Sequence, residues 1–184
     1  IDYRFAFGKL SLIVRPNLVR AEEILDWVNV ELSGTPLDKS ENSPIIVIEA
    51  CYDPRVAPDL ISVSSRLGLT PNELIQIHSN RIYKVLAMGF VAGFGYLGEI
   101  DPRLHLPRKN VPMTRIPAGS LAVAENQTAI YPVETPGGWH LIGRVPKSIV
   151  SVTEYSIHTV FSVGRAVRFE PISYKNFCKW VSDD

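Results

Sequence analysis

TRIPAGSLAVAENQTAIYPVETPGGWHLIGRVP, running from Thr114 to Pro146, alternates turn formers with short β-prone runs. The runs are Leu121–Ala124, Thr128–Tyr131 and Trp139–Gly143. Gly137-Gly138, entered through Pro136, offers the positive-φ freedom of a tight hairpin turn. The expectation is a β-meander. Its polar groups, among them Arg115, Ser120, Asn126, Gln127, Tyr131, His140 and Arg144, fall near strand ends and turns, where ligand contacts concentrate.

Working outward, more β runs flank this stretch. Ile45–Ile48 is apolar and β-branched, Tyr83–Met88 reads as a strand, and Gly164–Ile172 reads as a closing one. Asp59–Leu67 predicts a helix stopped by Gly68. Thr70-Pro71-Asn72-Glu73 is a capping box with proline at the first helical position, so Pro71–His78 is predicted helical. His78 then sits in the last turn, where a helix carboxyl end favours the protonated imidazole. Ser173 is placed to cap a short final helix bearing Phe177 and Trp180. Upstream, Ile1–Val14 reads as one extended segment. A helix of about four turns follows from Pro16, with a stripe of Leu18, Ala21, Ile24, Leu25, Val28 and Leu32. Gly34–Ser43 is polar and aperiodic, a linker. The whole reads as mainly β with some α: a β-rich barrel domain over 44–184 after a small α/β domain and linker over 1–41.

Charge excludes some partners. Nineteen basic residues balance nineteen acidic ones with no basic stripe, which argues against nucleic acid. No apolar run is long enough to span a bilayer, and Val85–Leu97, the longest, is glycine-rich. Cys51 and Cys178 lie far apart without metal spacing, which fits a reduced cytoplasmic setting. His78, His105, His140 and His158 show no ligand spacing, so no metal is expected.

Familiar catalytic motifs fit poorly. Ser120 lies in Pro-Ala-Gly-Ser-Leu and not in Gly-x-Ser-x-Gly, which makes it a hairpin serine. Gly93–Gly98 matches Gly-x-Gly-x-x-Gly literally, yet Glu99-Ile100-Asp101-Pro102 follows where a helix would have to start. A glycine-rich loop packed by Phe90, Phe94 and Tyr96 is the better reading. Asp101–Met113 is a proline-broken connection carrying Arg103, His105, Arg108 and Lys109, mostly solvated charges.

A series of boxes resembles the allophanate hydrolase subunit 1 family of KipI-like proteins, also read as the B subunit of 5-oxoprolinase. The boxes are Gly89–Leu97, Asp101–Leu104, Pro107-Arg108, Arg115–Ser120, Gln127–Pro132 and Thr135–Arg144, in the family's order within about Ile45 to Ser173. Ala92, Gly95 and Thr135 depart from the family pattern, and the segment Lys147–His158 does not match it. The resemblance implies a cyclophilin-like β-barrel after a small α/β domain. The unit that normally opens that domain is missing, so the amino-terminal domain is expected to be incomplete.

The same resemblance implies function through a partner: with a KipA-like C subunit and a third component, 5-oxoproline is opened to glutamate at the expense of ATP. ATP enters as co-substrate, and no biotin-acceptor motif is present. The implied site has His78 and His140 as proton-transfer residues. Arg108, Arg115, Gln127, Tyr131 and Arg144 would bind the lactam or phosphate, with two guanidinium groups and two imidazoles facing one cavity on the barrel rim. Two other functions accompany the resemblance: an inhibitor of a sensor histidine kinase, acting as a binding module, and a urea or allophanate carboxyltransferase-like component.

Overall fold

The computed structural model describes residues 2–14, 20–34 and 44–182. Chain contacts separate two compact units, Ile1–Ser43 and Pro44–Asp184. In the first, β1 (Asp2–Ala6) pairs antiparallel with β2 (Lys9–Ile13), and α1 spans Ala21–Gly34. The single extended segment expected here is therefore a hairpin. Phe7 and Gly8 both take positive φ, 51° and 71°, the pair of angles that a two-residue turn between twisted strands requires. On α1, Ile24 and Val28 are half-buried, whereas Ala21 and Leu25 of the expected stripe are exposed. Pro16, Leu18 and the linker beyond Gly34 lie outside the described residues.

The second unit is built on a closed seven-stranded barrel. Its strands are β3 (Ile46–Cys51), β4 (Ile82–Met88), β5 (Gly95–Gly98), β7 (Ser120–Ala124), β8 (Gln127–Ile130), β10 (His140–Arg144) and β13 (Ala166–Ile172). Around the barrel they run β10-β3-β13-β4-β5-β8-β7. Within it the β3–β13 pair is parallel, with Ile48 opposite Phe169. Period-two alternation sends Val167 and Phe169 inward while Arg168 and Glu170 face out. Tyr83, Val85, Leu97, Leu121, Val123 and Ile142 meet them inside. Helices α2 (Leu60–Arg66) and α3 (Pro71–Ser79) add Leu60, Val63 and Leu74 to that core.

β7 does not alternate: all five of its residues are buried. Leu121 and Val123 fill the barrel, while Ala122 and Ala124 join a second cluster with Phe94, Ile116, Tyr131, Trp139 and Leu141. That cluster lies under a two-stranded sheet of β6 (Met113–Ile116) and β9 (Thr135–Gly137). The barrel thus has an apolar outer patch as well as a core, and the patch carries the candidate site.

Several expected turns are built differently. β8 and β10 both flank β7, so the order is β8-β7-β10 and not a meander. The β7–β8 hairpin turns at Glu125, whose φ is +54°. Gly137 ends β9 without positive φ, so Gly137-Gly138 is no hairpin turn. Its glycine is needed for space: a Cβ there would land on the Tyr131 hydroxyl and 2.9 Å from Ile116. Gly95–Gly98 is a barrel strand and not a loop. The unmatched segment after Pro146 forms a hairpin of β11 (Val150–Val152) and β12 (Ile157–Thr159).

Local signals at the helices hold. Glu73 N–H donates to Thr70 Oγ1 at 3.2 Å and Thr70 N–H to Glu73 Oε2 at 2.7 Å, which completes the capping box. Ser173 Oγ accepts from Asn176 N–H at the start of α4 (Tyr174–Ser182). Thr70→Ala is expected to cost about 1 kcal/mol in urea denaturation, with Thr70→Ser near wild type. No helix among the described residues is long and apolar enough to cross a membrane.

Candidate functional site

The second cluster opens at the surface as a recess of about 100 Å³. Five aromatic rings form its floor and walls: Phe90, Phe94, Tyr96, Tyr131 and Trp139. Phe94 is central, edge-on to Tyr96 at 4.9 Å, Tyr131 at 5.4 Å and Trp139 at 5.9 Å between centroids. Edge-to-face packing of this kind fixes rings more firmly than apolar area alone. The main chain of Pro136–Trp139 closes one side, and Arg108 overhangs the opening with its guanidinium 5.9 Å from the Trp139 ring centroid.

Two polar groups point to a ligand. Arg108 is exposed and has no carboxylate or carbonyl partner among the described residues. The other is the Tyr131 hydroxyl, which lies against the main chain at Gly137. Burial raises the phenol above its usual range. It therefore stays neutral and keeps its own proton to donate. The arrangement suits a flat, ring-sized molecule carrying one negative charge.

The structure brings only two of the seven expected site residues into this recess, Arg108 and Tyr131. His140 opens β10 directly after Trp139, but its side chain points away from the recess. Its Nε2 lies 2.9 Å from the Pro107 carbonyl and so carries the proton. Arg144 ends the same strand and donates Nε–H to Ala118 O at 3.1 Å. Arg115 is a surface residue paired with Glu134 at 2.7 Å. Gln127 opens β8 opposite Ala124 and Gly98. The expected cavity shared by two guanidinium groups and two imidazoles is not formed, because β10 holds His140 and Arg144 at opposite ends and β6 carries Arg115 into solvent.

His78 lies elsewhere again, fully buried inside the barrel. Thr128 Oγ1 gives its one proton to Ala122 O, so it accepts from His78 Nε2 at 2.9 Å. Nδ1 then accepts from the Tyr52 hydroxyl at 2.8 Å. Burial pushes the imidazole down to about 3. The protonated form expected from the helix end is overturned: desolvation among neutral partners outweighs the helix-end field.

Sequence reasoning passed over Asp59 and Lys109. Their side chains form a largely buried ion pair at 2.6 Å, and Asp59 Oδ2 also accepts from Leu141 N–H at 2.7 Å. Asp59 read only as a helix start and Lys109 as a solvated charge, since their contact spans distant parts of the chain.

Packing around the recess gives a sharp contrast between adjacent glycines. Gly137→Ala drives a methyl into Tyr131 and Ile116 and is expected to destabilise by about 1–3 kcal/mol. At Gly138 the nearest atom, Lys109 O, would be 3.7 Å from a new Cβ, so Gly138→Ala should leave the thermal midpoint almost unchanged. Equal losses from both would contradict this geometry.

A family model, "Carboxyltransferase domain, subdomain C and D", matches residues 1–158. The chain belongs to this family. A curated relative, the B subunit of 5-oxoprolinase from Bacillus subtilis, is 41% identical over 156 residues, covering 85% of this chain and 65% of its own length. Its name agrees with the resemblance read from the sequence boxes. The crystal structure of TTHA0988 superposes with a TM-score of 0.77 at 35% identity, covering 93% of this chain and 33% of that one. The Kluyveromyces lactis urea amidolyase shares the fold, with a TM-score of 0.68 at 13% identity over 99% of this chain and 13% of its own. This carboxyltransferase-family chain therefore spans less than two thirds of the curated relative it matches.

Proposed function

We propose that this protein is the B subunit of an ATP-dependent 5-oxoprolinase, working with a KipA-like C subunit in a cytoplasmic heteromer. In this reading, residues 44–184 are a cyclophilin-like barrel domain and residues 1–41 part of a small amino-terminal domain. The observation that carries the proposal is the recess. An uncommitted guanidinium and a neutral phenol stand over four further aromatic rings, on a chain whose 41%-identical relative bears that name.

5-Oxoproline is a five-membered lactam with one carboxylate. Arg108 would pair with the carboxylate, the rings would take the methylene edge, and Tyr131 would donate to the lactam oxygen. A lactam amide is a poor electrophile. Transfer of the γ-phosphoryl of ATP to its oxygen releases ADP. Water then adds at that carbon, and the ring C–N bond breaks with the proton going to nitrogen to leave a γ-glutamyl phosphate. A second water releases phosphate to give glutamate. Ligand pockets for larger molecules run from about 300 to 1,000 Å³. A recess of about 100 Å³ suits the lactam and not the nucleotide, so ATP would bind outside it. His140 acts here by holding the main chain at Pro107, and Arg115, Gln127 and Arg144 lie outside the lactam contact.

The family description favours a second reading, transfer of a carboxyl group to a urea-like amide, with the same recess holding a carboxylate. Co-purification with the C subunit, followed by an assay of 5-oxoproline-dependent ATP hydrolysis, separates the two. The first reading expects ADP and glutamate in equal amounts. ATP turnover indifferent to 5-oxoproline would overturn it.

A further inference from the structure

Between Asp101 and Met113 the chain has little regular structure, and Pro102, Pro107 and Pro112 remove three of its amide donors. Yet this strap delivers Arg108 to the recess, and both neighbours of Arg108 are pinned. The Pro107 carbonyl accepts from His140 Nε2 at 2.9 Å. Lys109 N–H donates to Gly138 O at 2.7 Å, and its Nζ reaches Asp59 Oδ2 at 2.6 Å and Met113 S at 3.3 Å.

Asp59 is the point where these tethers meet the barrel. Its Oδ2 receives both Lys109 Nζ and Leu141 N–H, while its own N–H donates to Leu141 O at 3.0 Å. One carboxylate oxygen thus holds the strap and the strand that follows Trp139. The side chains of Lys109 and Asp59 are only 17% and 19% exposed. A pair so far removed from water stabilises a fold weakly compared with well-packed apolar groups, but removing either member leaves the other charge buried without its counter-ion, which holds the two together.

We infer that Asp59 and Lys109 are positioning residues that set the separation between Arg108 and the Gly137–Trp139 wall, and so fix the recess for a small carboxylate ligand. The inference rests on reading the recess as the 5-oxoproline site. Neither residue touches the ligand; each acts through Arg108 or Trp139.

The test uses Lys109→Met, which keeps the stem and removes the charge, with Lys109→Arg as the conservative rescue and Asp59→Asn as the reciprocal change. Kinetics of the complex with the C subunit give one readout. Lys109→Met should raise KM for 5-oxoproline about tenfold with kcat within about twofold, and Lys109→Arg should recover most of it. The second readout needs no activity. In a Trp27→Phe/Trp180→Phe background, acrylamide quenching of Trp139 should increase in Lys109→Met and Asp59→Asn and return in Lys109→Arg. Unchanged quenching in both variants would overturn the positioning role, as would a fall in kcat with KM untouched. If Lys109→Met fails to fold, Lys109→Gln carries the same comparison. Should the wild-type complex show no 5-oxoproline-dependent turnover, the substrate reading fails while the quenching comparison still decides the positioning.

Discussion

Lowering the pH from 7.5 to about 4.5 is expected to weaken the fold by about 3 kcal/mol through His78 alone. The native imidazole titrates near 3, and an unfolded one near 6.5. Between those values the unfolded chain binds a proton that the native chain refuses. Stability therefore rises with pH across this window, and its His78 share is complete above the unfolded value. It is lost as acid is added, because His78 has only neutral partners in Tyr52 and Thr128 and no carboxylate to receive the charge. Surface pairs such as Asp53–Arg55 enter later: the Arg55 side chain holds the Asp53 carboxyl at about 2. Urea midpoints measured from about pH 7.5 down to 4.5 isolate the histidine. His78→Gln should start less stable by about 1–3 kcal/mol, for the hydroxyls it leaves poorly paired, and should lose most of the slope. A slope unchanged in His78→Gln would show that another group governs acid unfolding.

The second large effect belongs to Arg108. On the 5-oxoprolinase reading proposed above, a charge-assisted hydrogen bond to the ligand carboxylate is worth about 1.5–3 kcal/mol, so Arg108→Ala should weaken 5-oxoproline binding by about ten- to a hundredfold. Arg108→Lys should recover only part of this, since an ammonium lacks the planar fork and stacks poorly on Trp139. Arg144→Ala is the informative control. Arg144 is spent on the Ala118 carbonyl and lies outside the recess, so its loss should leave the apparent affinity within about twofold. Titration calorimetry or KM in the complex reads both. An Arg144 variant that loses binding while Arg108→Ala retains it would move the site to the other end of β10.

Local rules carried much of this far. The capping box at Thr70, the stop at Gly68, the cap at Ser173 and the β runs around Leu121, Thr128 and Leu141 depend on neighbours within a few residues, and all of them are present. The ordered boxes pointed to the family because they record many such local choices at once. The turns were less legible where a glycine served space and not conformation. Gly137 looks like a turn residue in sequence, but its missing Cβ makes room for the Tyr131 hydroxyl, a contact between β9 and the residue just past β8.

Sequence by itself determined a β-rich chain with helices at set places, and it named Arg108 and Tyr131 among its candidates. Tertiary structure decided which candidates share a site. Whether a histidine is charged depends on the dielectric and partners around it, and closure of the barrel puts His78 among neutral groups with no water. Whether two cations face one cavity depends on strand direction, and a five-residue strand carries His140 and Arg144 to opposite ends. Asp59 and Lys109 meet only after the chain has closed on itself, so no spacing along it could have announced their pairing.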